Sequence, residues 1–223
     1  MNAIMKNKKV VVITSLLCLV PIVFGIIMWK NLPDRMPTHF GLDNEPNGYM
    51  SKAVAVFILP LILVALELFC LFASSLDPKK SNISAKSLLP VLWMMPGLSW
   101  VLSAVMYASA LGHKPNVGAI VIAFLGIVFM LLGNFLPKSA KNYTFGAKTP
   151  WALNDESNWN YTSRIASKSF VLSGLAMIII GIISLILSKS IFLYCLAAAA
   201  IAATLLIPLI ASYKFYQKNK VTK

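Results

Sequence analysis

PNVGAIVIAFLGIVFMLLGNFL, residues 115–136, runs its whole length without a charged side chain. About 20 apolar residues in a row are what a helix needs to cross the hydrocarbon core of a bilayer. Working outward, five further runs of that kind occupy residues 10–29, 53–73, 87–110, 169–188 and 190–212. Composition agrees, because 58% hydrophobic residues and a mean hydropathy of +0.77 leave too little polar surface to wrap a water-soluble core. The expected fold class is all-α, a polytopic membrane helix bundle of six transmembrane helices. The first run follows Lys6, Lys8 and Lys9 but is too long for the core of a secretory signal and lacks a small-residue cleavage site. It is read as a retained helix.

The net charge of +13 is distributed unevenly. Fifteen of the 20 basic residues fall at the two ends of the chain and in the loops around residues 79–86 and 138–168. The other five are Lys30, Arg35, Lys52, Lys114 and Lys189. Positively charged loops stay on the cytoplasmic side, so both termini are expected in the cytoplasm of a bacterial plasma membrane. Basic residues beside the membrane also meet anionic lipid, so the lipid bilayer is the first partner, and no direct contact with nucleic acid is needed to explain the charge. Cys18, Cys70 and Cys195 lie inside apolar runs without C-x-x-C spacing and are expected to be buried thiols.

Two loops are too long and too patterned to be connectors alone. Residues 30–52, KNLPDRMPTHFGLDNEPNGYMSK, alternate Pro33, Pro37 and Pro46 with Gly41, Asn44, Asn47 and Gly48. Proline removes backbone donors and glycine permits positive φ, so this stretch is expected to form turns or a short extended piece capping the outer helix ends. His39, Asp43 and Glu45 are too sparse for a metal site, and Phe40 and Tyr49 suit the interface. Residues 133–168, GNFLPKSAKNYTFGAKTPWALNDESNWNYTSRIASK, interleave aromatic residues with Lys and Asn, the composition of a segment held at headgroup level. Pro150 imposes extended backbone on Thr149. Asn154 is the expected cap of a helix with Asp155 and Glu156 in its first turn, with Trp151 and Leu153 stapled to the membrane surface.

These two segments carry a resemblance. GNFLPK, NYTFGAKTPWAL and the following Trp and TSR, together with LPDRMPTHFG and EPNGYMSK after the first helix, resemble the SdpI family of bacterial membrane immunity proteins. The resemblance implies an integral membrane protein that protects the cell from a secreted, membrane-active peptide toxin. It also implies a signalling role, in which a soluble transcriptional repressor is held at the membrane. Positions matching the family are Gly133, Asn134, Pro137, Asn142, Phe145, Gly146, Thr149, Pro150, Trp151, Leu153, Trp159 and Thr162. Lys148 and Arg164 flank them, and Pro33, Pro37, His39, Phe40 and Gly41 mark the cap. Two positions depart from the family: Lys148 stands where Arg is usual, losing the planar fork, and Ser163 stands where His is common. The implied division is 1–86, two helices with the cap of 30–52, and 87–223, a four-helix region with the signature loop of 133–168.

Glu67 stands apart, near the middle of the second span. A carboxyl group there costs about 2.5 to 3.5 kcal/mol on insertion scales and should face the bundle interior. Ser99, Ser103 and Tyr107 are its expected partners. It supports an alternative reading, a small proton-coupled carrier or channel. Gly118, Gly126 and Gly133 in the fourth span, and Gly174 and Gly181 in the fifth, recur at helical spacing and suit close helix packing. The sequence carries no H-E-x-x-H, G-x-S-x-G or P-loop and two histidines, so neither enzyme, metal nor cofactor is expected.

Overall fold

The computed structural model describes residues 7–187 and 191–221. Of the positions used above, Lys6, Lys189 and Lys223, and the span ends Ser188 and Ser190, lie outside the described residues. The chain runs α1 (Lys8–Ile27), β1 (Arg35–Phe40), β2 (Pro46–Ser51), α2 (Val54–Ser75), α3 (Ala85–Ala110), α4 (Val117–Phe135), a short α5 (Pro150–Asn154), α6 (Glu156–Ile186) and α7 (Ile191–Val221). Six of these, all but α5, are long and apolar enough to cross a membrane. The fold is an all-α polytopic bundle with one small hairpin.

Four spans begin and end within two residues of their apolar runs, and the last two outrun them. The helix α6 starts well before residue 169, because Asp155 accepts the Ser157 N–H at 2.9 Å and caps it there. At 31 residues it is roughly 46 Å long, against about 30 Å of hydrocarbon, so a full polar end projects beyond the apolar core. The part of α7 beyond Ser212 projects likewise from that end, where Ser212 meets Asn158.

Helices α1, α2 and α3 pack as one group, joined by hydrogen bonds to backbone. Pro21 has no N–H to give the Leu17 carbonyl, and the Trp100 indole donates to that oxygen at 3.0 Å instead. The Ser99 hydroxyl donates to the Cys18 carbonyl at 2.7 Å, and the Tyr107 hydroxyl to Pro21 at 2.9 Å. A Cβ at Gly25 would stand 2.5 Å from Val56 and 2.6 Å from the Tyr107 oxygen, so glycine is what lets three helices meet. Helix α2 opens with a π-turn over Val54–Ile58, and Ala55 and Val56 seat there against Leu32, Met36 and Met106.

Helix α6 lies between α4 and α7. Its glycines face those of α4: a Cβ on Gly126 would come 2.6 Å from the Gly174 carbonyl oxygen, and a Cβ on Gly174 the same distance from that of Gly126. Gly133 and Gly181 make similar approaches to Phe170 and to Ala123. Small residues at this spacing substitute backbone contact for the hydrophobic drive that lipid does not supply. Exposed apolar side chains such as Leu172, Ile186 and Leu205 line the outside, as a lipid-facing surface requires. Cys18 is buried as expected, but Cys195 is exposed on that surface, because α7 turns one face outward along its whole length.

The hairpin turns residues 30–52 back over the helix ends. Asn44 adopts φ 60, and its side-chain oxygen accepts from the Gly118 N–H at 2.8 Å while its amide reaches the Tyr194 hydroxyl at 3.3 Å. Leu32 and Met36 are buried against α2 and α3, so the cap is anchored to both halves of the bundle. Gly126→Ala is expected to lower the melting temperature of the detergent-solubilised protein, by about 1 to 3 kcal/mol of overpacking. Thermal unfolding followed by circular dichroism measures it; an unchanged midpoint would show that α4 and α6 separate without cost.

Candidate functional site

The signature loop is a built object, and its geometry follows from buried side chains, Asn142 and Trp159 first. Asn142, fully buried, folds the loop around itself. Its oxygen accepts the Thr144 and Phe145 N–H groups at 2.9 and 2.6 Å, and its amide donates to Ser139 Oγ at 3.0 Å and the Ala140 carbonyl at 2.7 Å. Trp159, 1% exposed, donates from its indole to the Ser139 carbonyl at 2.9 Å. Its ring lies against Gly146, where φ is +123 and a Cβ would stand 2.5 Å from Trp159 Cη2. Glycine is required at this position twice over, by conformation and by space.

The second half of the loop is tied to α6 and α7. Thr149 caps α5 by accepting the Ala152 N–H at 3.1 Å, and its hydroxyl lies 2.5 Å from that of Ser212. Ser212 donates to Asn158 Oδ1 at 2.8 Å, Thr162 donates to the same oxygen at 2.8 Å, and the Asn158 amide returns to the Ser212 carbonyl at 3.0 Å. All four side chains are buried, so the network excludes water and holds the loop rigid. Trp151 packs against Tyr213 and Tyr216, ring centroids 5.0 and 6.2 Å apart, rather than stapling to the membrane surface alone.

A third tie comes from the α2–α3 connection. Asp77, 5% exposed, accepts from the Lys79 N–H at 2.7 Å, the Tyr143 N–H at 2.9 Å and the Thr144 hydroxyl at 2.6 Å. Burial pushes its carboxyl upward, but the Thr144 hydroxyl and the backbone N–H groups outweigh that and hold it below the ordinary carboxylate range. Lys79 lies over the Tyr143 ring at 5.6 Å, Asn82 donates to the Lys141 carbonyl at 2.7 Å, and Phe145 packs on the Leu71, Ile83, Leu88 and Leu92 cluster.

Of the signature positions, Asn142, Phe145, Gly146, Thr149, Trp159 and Thr162 thus converge. Pro137 and Asn134 lie at the exposed end of α4 and the turn that follows it, and Lys148, Pro150 and Arg164 are exposed. Leu153 is half-buried in α5. The expected cap at Asn154 is displaced by one residue: Asn154 ends α5, and Asp155 caps α6 because its extended backbone, φ −132 and ψ 123, breaks the chain there. Asp77, Asn158 and Ser212 escaped sequence reading. Asp77 stands before Pro78, a turn signal, but nothing in local pattern says that it reaches a loop 66 residues away.

Glu67 is fully buried, and its partners are not Ser99, Ser103 or Tyr107. Ser99 and Tyr107 are engaged by carbonyls of α1, and Ser103 has no hydrogen-bond partner among the described residues. Glu67 instead meets the Thr14 hydroxyl and, at 3.0 Å, the Ser15 hydroxyl, because α1 rather than α3 faces it at that depth. The Thr14 hydroxyl also lies 2.9 Å from the Val10 carbonyl of its own helix, so one hydroxyl is shared between the carboxyl and the backbone. In the cap, His39 pairs with Asn47, and Asp43 accepts the Glu45 N–H at 3.1 Å. No group of three metal-ligating side chains exists among the described residues.

The arrangement defines a polytopic plasma-membrane protein with a docked hairpin at one end and a locked polar loop at the other. Residues 138–212 match the SdpI/YfhL protein family. Residues 16–64, from α1 through the hairpin into α2, match a second family described as a domain of unknown function (DUF1648). The chain is 28% identical over 215 residues to the immunity protein SdpI of Bacillus subtilis (strain 168), covering 95% of this chain and 97% of that protein. No solved structure matches.

The depressed Asp77 carboxyl links the loop to pH. A carboxylate held below its unfolded value stabilises fully above that value, about 3.9, and the contribution is lost as pH falls through the folded one. Acidification below pH about 4 is therefore expected to release Tyr143 and Thr144 from the α2–α3 turn. Asp77→Asn should give the released state already at neutral pH. Protease nicking of residues 139–149 in reconstituted protein reads both; equal protection of variant and parent at pH 7 would remove the tie.

Proposed function

We propose that this chain is an immunity protein that protects its cell from a secreted, membrane-active peptide toxin by binding it within the bilayer. The end-to-end similarity to an immunity protein carries the reading, since it includes the hairpin segment as well as the signature loop. In this reading both termini and the locked loop face the cytoplasm, as the skew of basic residues favours, and the hairpin faces outward. A toxin with its apolar face in the lipid meets the helix bundle laterally, and the cap from Leu32 to Tyr49 meets its exposed end. Capture lowers the free toxin concentration.

The loop end has the properties of a reporter of that event. It is rigid, it presents Trp151, Lys148 and Arg164 to solvent or to the headgroups, and it is wired to α2, α6 and α7 at once. A soluble repressor held there would link capture to transcription. The rival reading, a proton-coupled carrier centred on Glu67, draws on the complete burial of that carboxyl.

Expression in a toxin-sensitive host is expected to raise survival; no gain would remove the proposal. Glu67→Gln keeps an oxygen for the Thr14 hydroxyl and is expected to leave immunity within about twofold, a loss of well under 1 kcal/mol. Abolition of function by this variant, with Trp151→Ala harmless, would favour the carrier. Orientation is read separately: a cysteine introduced at Trp151 should resist an impermeant thiol reagent in intact cells, and one at Leu42 should react.

A further inference from the structure

A groove of about 320 Å³ opens on the outside of the bundle at the loop end, and its walls change character with depth. Its floor is Ala166 and Phe170 of α6, its sides are Leu136 on one hand and Leu205 and Leu209 of α7 on the other, and residues 146–149 close its mouth. It lies at the far end of the bundle from the Gly118–Tyr194 approach of α4 to α7, and Ala166 in its floor is a small side chain. Pro208, buried in the wall, brings no N–H to it.

The mouth is cationic and the floor is hydrocarbon. Lys148 is exposed and gives one of its three N–H groups to the Tyr143 carbonyl at 3.2 Å, which leaves two for a ligand. No carboxylate pairs with it among the described residues. The Thr149–Ser212 contact fixes the level of the mouth on α7. Leu205 lies seven residues earlier on that helix, roughly 10 Å deeper in the membrane. A single ligand that is anionic at the interface and aliphatic for the next 10 Å or so fits this order, and a free phosphate does not.

We infer that this groove is a binding site for one anionic phospholipid, its acyl chain on Ala166 and Phe170 and its phosphate on Lys148. Because residues 146–149 form the mouth, the bound lipid becomes part of the support of the signature loop. This site stands apart from any toxin contact and does not depend on that reading.

Native mass spectrometry of the purified full-length protein tests it, with phosphatidylglycerol and phosphatidylcholine of identical acyl chains offered in equal amounts. Wild type is expected to retain the anionic lipid over the zwitterionic one by about fivefold, the factor that one lysine contributes at an anionic surface. Lys148→Ala should bring the ratio to one, and Lys148→Arg should keep it. Leu205→Trp, a change on an exposed, lipid-facing residue, should plug the groove and remove the retained lipid of either kind. Glycerol 3-phosphate, the headgroup without chains, should not compete. Equal retention of the two lipids by wild type, an unchanged ratio in Lys148→Ala, retention by Leu205→Trp, or competition by glycerol 3-phosphate would each overturn the assignment.

Discussion

Hydrocarbon offers no hydrogen bonds, and that constraint organises this molecule. Many of the polar side chains inside the spans bond back to their own helix or bridge to another, while Ser103, Ser163 and Ser184 have no partner among the described residues. Thr14 and Ser15 reach Glu67, Ser99 and Trp100 reach carbonyls of α1, Ser169 reaches the Ala203 carbonyl, and Asn158 and Ser212 bond to each other twice and to Thr162 and Thr149 once each. In water such bonds would add little. In lipid an unmet partner is costly, so these groups fix which helices are neighbours more than they add to total stability. The close glycine approach of α4 to α6 does the remaining work by dispersion, at a separation that no side chain could tolerate.

The same rule explains why the two ends differ. At the hairpin end the cap is attached by apolar burial of Leu32 and Met36 and by one asparagine, Asn44, that bonds to the start of α4 and to α7. At the loop end the attachments are polar, numerous and buried, and they draw on α2, α3, α6 and α7 through a single stretch of chain. That makes the loop the part of the molecule best placed to register what happens among the helices.

The sequence by itself determined the class and the number of spans, because helix length against bilayer thickness is a one-dimensional property that each apolar run carries alone. It also determined that residues 30–52 would turn and that residues 133–168 would be ordered, since proline, glycine and aromatic spacing act locally. The signature positions Asn142, Gly146, Thr149 and Trp159 were legible from family resemblance, but nothing in their spacing says that Asn142 holds the loop's own backbone while Thr149 reaches α7. Only the tertiary structure decided the pairings. Glu67 faces α1 rather than α3, Asp77 meets residues 143 and 144, and Asn158 meets Ser212, because these depend on the rotation and depth of helices far apart in the chain, which an unbroken apolar run leaves free.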